Sequence, residues 1–133
     1  MCYDIEGGKM ELTNLNNKQI EAIKSVEGPL LVLAGAGSGK TRVLTTRIAY
    51  LISELGINPY NILAITFTNK AAKEMKDRVI NMLGSMSKNI QISTFHSFGV
   101  TILRENCDKL GYKENFTILD SDDVLTVIKK ILK

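Results

Sequence analysis

Leu30-Leu31-Val32-Leu33-Ala34-Gly35-Ala36-Gly37-Ser38-Gly39-Lys40-Thr41 is the stretch from which the rest of the chain is read. Its four leading apolar residues predict a short strand buried on both faces. Gly35, Gly37 and Gly39 then let the backbone take conformations closed to other residues, so that successive N–H groups point into one concavity. Lys40 and Thr41 open a helix whose positive dipole end adds to that anion preference. Lys40 reaches β- and γ-phosphates as a point charge, and the Thr41 hydroxyl is a ligand for Mg²⁺. Ala34, Gly35, Ala36, Gly37, Ser38, Gly39, Lys40 and Thr41 are therefore the expected nucleotide-binding residues, with Lys40 and Thr41 the catalytic pair. The first position is Ala rather than Gly, a small-for-small departure. A mere connector has no need of three glycines, each of which costs chain entropy.

Working outward, Val43, Leu44, Ile48, Leu51, Ile52 and Leu55 recur at helical spacing until Gly56. Upstream, Asn16 reads as an N-cap with Gln19 three residues on, Leu15 and Ile20 forming a hydrophobic staple, and Gly28-Pro29 ending the helix. Downstream, Asn58-Pro59 makes a turn, and Ile62 to Phe67 is a second buried-strand candidate. A helix follows from about Lys70 to Leu83, with Met75, Val79, Met82 and Leu83 inward and Gly84 as its stop. Ile90 to Phe95 is a third strand. Helical sequence resumes near Ser97, runs to about Lys109 and closes at Gly111. Strands alternating with such helices imply right-handed crossovers and an α/β domain with a mostly parallel sheet. From Phe116 to Lys133 the character changes to a short link and a helix with Val124, Leu125, Ile128, Ile131 and Leu132 apolar. Ending on that apolar face, the chain reads as a cut through a larger protein.

Composition excludes more than it selects. The 133 residues are 44% apolar and 23% charged, as in ordinary globular domains. A net charge of +3 is too mild to identify a nucleic-acid binder by itself. Cys2 and Cys107 are far apart and read as ordinary reduced thiols. Met1 to Gly8 carries Asp4 and Glu6 without an apolar run, so no signal peptide is expected; no stretch approaches the ~20 apolar residues of a membrane span. The expected location is cytoplasmic.

Three further segments accompany the loop: Leu15-Asn16-Asn17-Lys18-Gln19, Ile65-Thr66-Phe67-Thr68-Asn69-Lys70-Ala71-Ala72 and Ile92-Ser93-Thr94-Phe95-His96-Ser97-Phe98. In order and spacing, from about Leu12 onward, they resemble superfamily-one DNA helicases of the PcrA/UvrD/Rep type. The resemblance implies a flexible tail over 1–12, a partial RecA-like P-loop NTPase domain over 13–110 and the start of an inserted helical subdomain over 111–133. It implies ATP and Mg²⁺ as cofactors and an ATP-driven parent moving 3′ to 5′ on single-stranded DNA. It places Gln19 on the adenine base, a task that an amide suits because it offers donor and acceptor together; the same side chain could instead complete a capping box with Asn16. Arg42 is expected near the nucleotide.

For DNA, the resemblance selects Phe67, Thr68, Asn69 and Lys70. Phe67 offers a stacking face to an unpaired base, and Thr68 and Asn69 can donate to phosphates. Lys70 opposes the dipole of its own helix, a conflict an external phosphate would relieve; Lys73 and Lys76 follow at three-residue spacing. The competing reading is a solvated lysine face with Phe67 in the core. Thr94, His96 and Ser97 are implied as neighbours of the DNA backbone, against the plain alternative of a structural histidine; no serine–acid pattern supports a nucleophilic triad.

Hydrolysis in P-loop motors needs an acidic pair at another strand end. Asp120, Asp122 and Asp123 read instead as an N-cap and first turn, so the chain is expected to bind nucleotide weakly and not to turn it over. Other classes remain: a P-loop phosphotransferase, or a non-enzymatic nucleotide- and single-strand-binding module. Exposed sheet edges are expected to favour self-association.

Overall fold

The computed structural model describes residue 10, residues 12–119 and residues 121–132. They form two compact units, one ending at Phe95 and one beginning at His96, each considered by itself below. The expected boundary at 110/111 thus lies inside the second unit.

The first unit is assembled on a central helix. Helix α1 (Asn17–Lys24) is followed by the loop and α2 (Lys40–Ser53), strand β1 (Leu63–Thr66), α3 (Asn69–Leu83) and strand β2 (Gln91–Thr94); α4 (Phe95–Glu105) begins at the unit's last residue. The two strands pair in parallel, Leu63 opposite Gln91 and Thr66 opposite Thr94, with α3 as the crossover. A mixed helix–strand domain with a small parallel sheet is what the alternating pattern predicts.

The core is aliphatic. Ile48, Ala49 and Ile52 of α2 meet Ile62, Ala64 of β1 and Met75, Val79 and Leu83 of α3, with Met82, Ile90 and Ile92 partly buried around them. The inward residues of α3 fall at the spacing read from the sequence, and Gly84 stops it with a positive φ of 53°. Met10, within the segment expected to be a tail, packs on this cluster and donates its N–H to the Glu54 carboxylate.

Leu30 to Leu33 corrects the reading of a doubly buried strand. These residues join no ladder, and Leu31 and Leu33 are 82% and 88% exposed. Apolarity marks a segment that can be buried, but a strand exists only through a partner's hydrogen bonds; β1 takes β2, and no described segment flanks residues 30–33. Helix α1 also ends earlier than Gly28: Ser25 caps it, its N–H and hydroxyl both donating to Glu21 O.

In the second unit α4 ends at Glu105, short of Lys109, and a 3-10 turn over Asp108–Leu110 precedes Gly111 at φ 73°. Cys107 is buried there as a free thiol, and its carbonyl accepts from Leu110 N and Tyr112 N. Helix α5 (Ser121–Ile131) carries Asp122 and Asp123 in its first turn and Lys129 and Lys130 in its last, which suits its dipole. Cys2 and Asp120 lie outside the described residues. Among the described residues no helix is long and apolar enough to cross a membrane.

Ile48 is 3% exposed at the centre of the core. Ile48→Ala is expected to cost about 2–5 kcal/mol in urea unfolding, whereas Phe67→Ala, at a 93% exposed position, should stay within about 0.5 kcal/mol.

Candidate nucleotide site

The loop is a turn held by its own atoms. Ser38 Oγ donates to Gly35 O at 2.7 Å, and Lys40 Nζ folds back to the carbonyls of Ala34 at 3.0 Å and Gly35 at 2.7 Å. Gly37 and Gly39 have φ of 74° and 81°. Gly35 has no positive φ, and open space surrounds the place of a Cβ there. Two of the three glycines are therefore demanded by backbone conformation. The first intrahelical bond of α2 runs from Val43 N to Gly39 O at 3.0 Å. That leaves the N–H groups of Lys40 and Thr41 without helical acceptors, the usual state of a helix start and the basis of its anion affinity. Thr41 is exposed in this turn.

Beside the loop lies a cleft of about 640 Å³ between α1, residues 30–35 and α2, within the range of small-ligand sites. Leu30, Val32, Val43 and Leu44 give it an apolar wall, and Gln19 and Lys40 stand at its polar end. No carboxylate lines it among the described residues. At its rim Lys18 and Glu21 pair at 2.8 Å. Their hydrogen bond, reinforced by opposite charge, raises the Lys18 pKa and lowers that of Glu21; fully exposed to water, the pair adds little to stability.

Gln19 settles one question and opens another. Its Oε1 accepts from Asn16 N at 2.9 Å while Asn16 Oδ1 accepts from Gln19 N at 2.9 Å, a complete capping box. Its Nε2 meanwhile donates to Ser38 O at 3.0 Å. A carboxamide has two N–H donors and two acceptor lone pairs, so one of each is used and one of each remains. Capping and base contact do not exclude one another. Arg47 completes the mounting of α1: from α2 it donates to Ala22 O and Ile23 O, capping the helix's far end, while Ile23 is fully buried. Arg42 reaches back to Thr13 O at 3.2 Å, so its guanidinium is directed toward the segment preceding α1.

The second candidate cluster sits where the parallel strands end. Phe67 follows β1 and is 93% exposed, which removes the reading of Phe67 as a core residue. Thr68 caps α3, its hydroxyl accepting from Ala71 N at 3.1 Å and keeping its own proton to donate. Asn69, Lys70, Lys73 and Lys76 are all exposed, and the first turn of α3 contains no acid. Thr94 is 5% exposed at the end of β2, and Phe95, one residue beyond, is 69% exposed. Because Thr66 pairs with Thr94, Phe67 and Phe95 leave adjacent strand ends. Phe95 was not singled out by the sequence reading; the parity of the two strand ends was the available signal. His96 and Ser97 are exposed in the first turn of α4.

With this geometry in hand, comparison with known proteins is direct. Residues 15–133 match the family model described as UvrD/REP helicase N-terminal domain. The chain is 58% identical to "ATP-dependent DNA helicase PcrA" of Staphylococcus aureus (strain Mu50 / ATCC 700699) over 122 residues, 92% of this chain and 17% of that protein. It is 60% identical to the protein of the same name from Staphylococcus epidermidis (strain ATCC 35984 / DSM 28319 / BCRC 17069 / CCUG 31568 / BM 3577 / RP62A) over 120 residues, 90% of this chain and 16% of that one. The chain thus spans only 16–17% of the length of these relatives.

Gly39 combines a φ of 81° with a Cβ position 3.3 Å from Gln19 Nε2. Gly39→Ala is expected to lower ligand-free stability by about 1–2 kcal/mol, and Gly35→Ala to leave it within about 0.5 kcal/mol, both read from urea melts.

Proposed function

The chain belongs to the UvrD/REP helicase N-terminal domain family, and from that premise we propose that it is the nucleotide-holding part of an ATP-dependent DNA helicase. On this reading the first unit belongs to a RecA-like motor domain, and α5 begins an inserted helical subdomain. Ala34 to Thr41 bind the triphosphate of ATP. Single-stranded DNA runs over the carboxyl ends of β1 and β2.

The observation that carries the reading is Lys40. Its ammonium closes the loop by bonding two loop carbonyls, at 3.0 and 2.7 Å. Phosphate oxygens are stronger, charged acceptors, so an entering triphosphate exchanges those carbonyl bonds for better ones. The N–H donors of the loop and of the first turn of α2 face the same anion. Gln19 retains a donor and an acceptor for a base edge. The Thr41 hydroxyl would hold Mg²⁺ together with phosphate oxygens, and the ion would supply charge neutralisation between phosphates. The described lining of the cleft contains no carboxylate. Activation of water therefore has no base here, and the chain by itself holds nucleotide without hydrolysing it.

For the DNA surface, Phe67 is the strongest single support: a phenyl ring 93% exposed at a strand end is otherwise a liability, and base stacking gives it a use. Phe95 is a second platform beside it. Thr68, Asn69 and Lys70 contribute donors and charge at the start of α3, and His96 and Ser97 do so at the start of α4. Thr94, buried, supports the strand end more than it touches a ligand. A phosphotransferase would require acidic or arginine groups in the cleft for a second substrate, and its described lining offers only Arg47, already engaged with α1.

Lys40→Ala is expected to weaken Mg·ATP binding at least tenfold, a lost charge-assisted contact being worth about 1.5–3 kcal/mol, with no phosphate release from either protein by malachite-green assay. Undiminished binding after that substitution would remove the basis of the nucleotide reading. A labelled single-stranded oligonucleotide should bind Phe67→Ala more weakly by roughly 1–3 kcal/mol. Lys70→Ala should flatten the salt dependence by a slope of about 1; equal slopes would take Lys70 off the DNA.

A further inference from the structure

Resting on the nucleotide reading above, we infer that Gln19 is a positioning residue for the phosphate end of the nucleotide, acting through the Ser38–Gly39 peptide. The carboxamide is fixed at both ends. Asn16 N–H can be satisfied only by the amide oxygen, and it sits 2.9 Å from Gln19 Oε1. That choice turns the NH₂ group outward, where it donates to Ser38 O at 3.0 Å across nineteen residues of sequence. The capping box thus decides which way round the amide stands.

The consequence passes through one planar peptide. In a trans peptide the C=O and the N–H point in opposite directions. Drawing Ser38 O toward α1 directs the Gly39 N–H away from α1. That N–H has no acceptor among the described residues. It belongs to the last residue before α2, at φ 81°, in a loop whose neighbouring donors are those of a helix start. Gln19 Nε2 stands 3.3 Å from where a Gly39 Cβ would be, so a side chain there would press on the contact in addition to straining a backbone at φ 81°. The tether is stiff because α1 is held at its other end by Arg47 and by the fully buried Ile23. A donor held in place before the anion arrives contributes more than one that must be ordered on binding. A residue that faces the base can in this way set affinity for a group carrying no base at all.

Inorganic tripolyphosphate separates the two roles, since it has neither base nor sugar. Isothermal titration of the chain in one magnesium buffer would compare tripolyphosphate with ATP for the wild type, Lys40→Ala and three further variants. Gln19→Leu removes the donor to Ser38. Gln19→Glu keeps the acceptor that completes the capping box but has no proton to donate; titration at two salt concentrations screens its charge. Asn16→Ala weakens the cap yet retains the backbone N–H that orients Gln19. Both Gln19 variants are expected to weaken tripolyphosphate about three- to tenfold, with Asn16→Ala within twofold of wild type despite a lower melting temperature. Should Gln19→Leu fail to fold by circular dichroism, Gln19→Glu at the higher salt decides. Unchanged tripolyphosphate affinity in the Gln19 variants, with only ATP weakened, would confine Gln19 to the base and overturn the inference. So would a loss in Asn16→Ala as large as in Gln19→Leu, or a loss seen only in Gln19→Glu and abolished by salt. If the wild type binds tripolyphosphate no better than Lys40→Ala does, the nucleotide reading itself falls, a distinct result.

Discussion

Burial of one helix, α2, is the constraint on which the rest depends. Thr45, Thr46, Ile48, Ala49 and Ile52 are all buried along it. The aliphatic members lock into β1 and α3, and Arg47 reaches across to clamp α1. Thr45 satisfies its buried hydroxyl on the carbonyls of Thr41 and Arg42, at 3.0 and 3.1 Å, whereas the buried Thr46 hydroxyl has no hydrogen-bond partner among the described residues. A helix held so firmly cannot shift without opening the core. Its first residue is Lys40. The position of the loop's cation is thereby an outcome of packing several turns away.

The same division, rigid beneath and open above, recurs at the strands. Ala64 and Thr94 are buried inside the small sheet, and Phe67 and Phe95, three residues and one residue later, stand in solvent. Parallel strands that share a direction deliver their carboxyl ends to one edge, and that edge is where α/β folds place ligands. Exposed aromatics are expensive in water and useless to a core. Phe67 and Phe95 follow directly on the two paired strand ends, the observation on which the proposed DNA surface rests.

How much of this was legible depended on range. The capping box of Asn16 and Gln19, the inward face of α3 and the stop at Gly84 were readable because each is decided within a few residues. That β1 and β2 run parallel was readable from the helix between them. Leu30 to Leu33 misled: an apolar run announces burial, yet whether it becomes a strand is settled by partners elsewhere in the chain. The Gln19–Ser38 bond, the Arg47 clamp, the reach of Arg42 to Thr13 and the anchoring of Met10 on Glu54 were invisible for the same reason. Each joins side chains to backbone over 19 to 44 residues of separation, and no local pattern encodes them.

Gln19 shows why a choice between two roles can be a false one. Read along the sequence, the side chain had to serve either the cap or a ligand, because one position seemed to allow one duty. In space a carboxamide is a four-point connector. The cap consumes one point and in doing so orients the others, which places a donor on the loop and leaves a pair for a ligand. The structural duty is then the means by which the functional one is specified. On the proposed reading the cleft follows the same logic: Gln19 and Lys40 hold or aim, and its described lining contains no carboxylate.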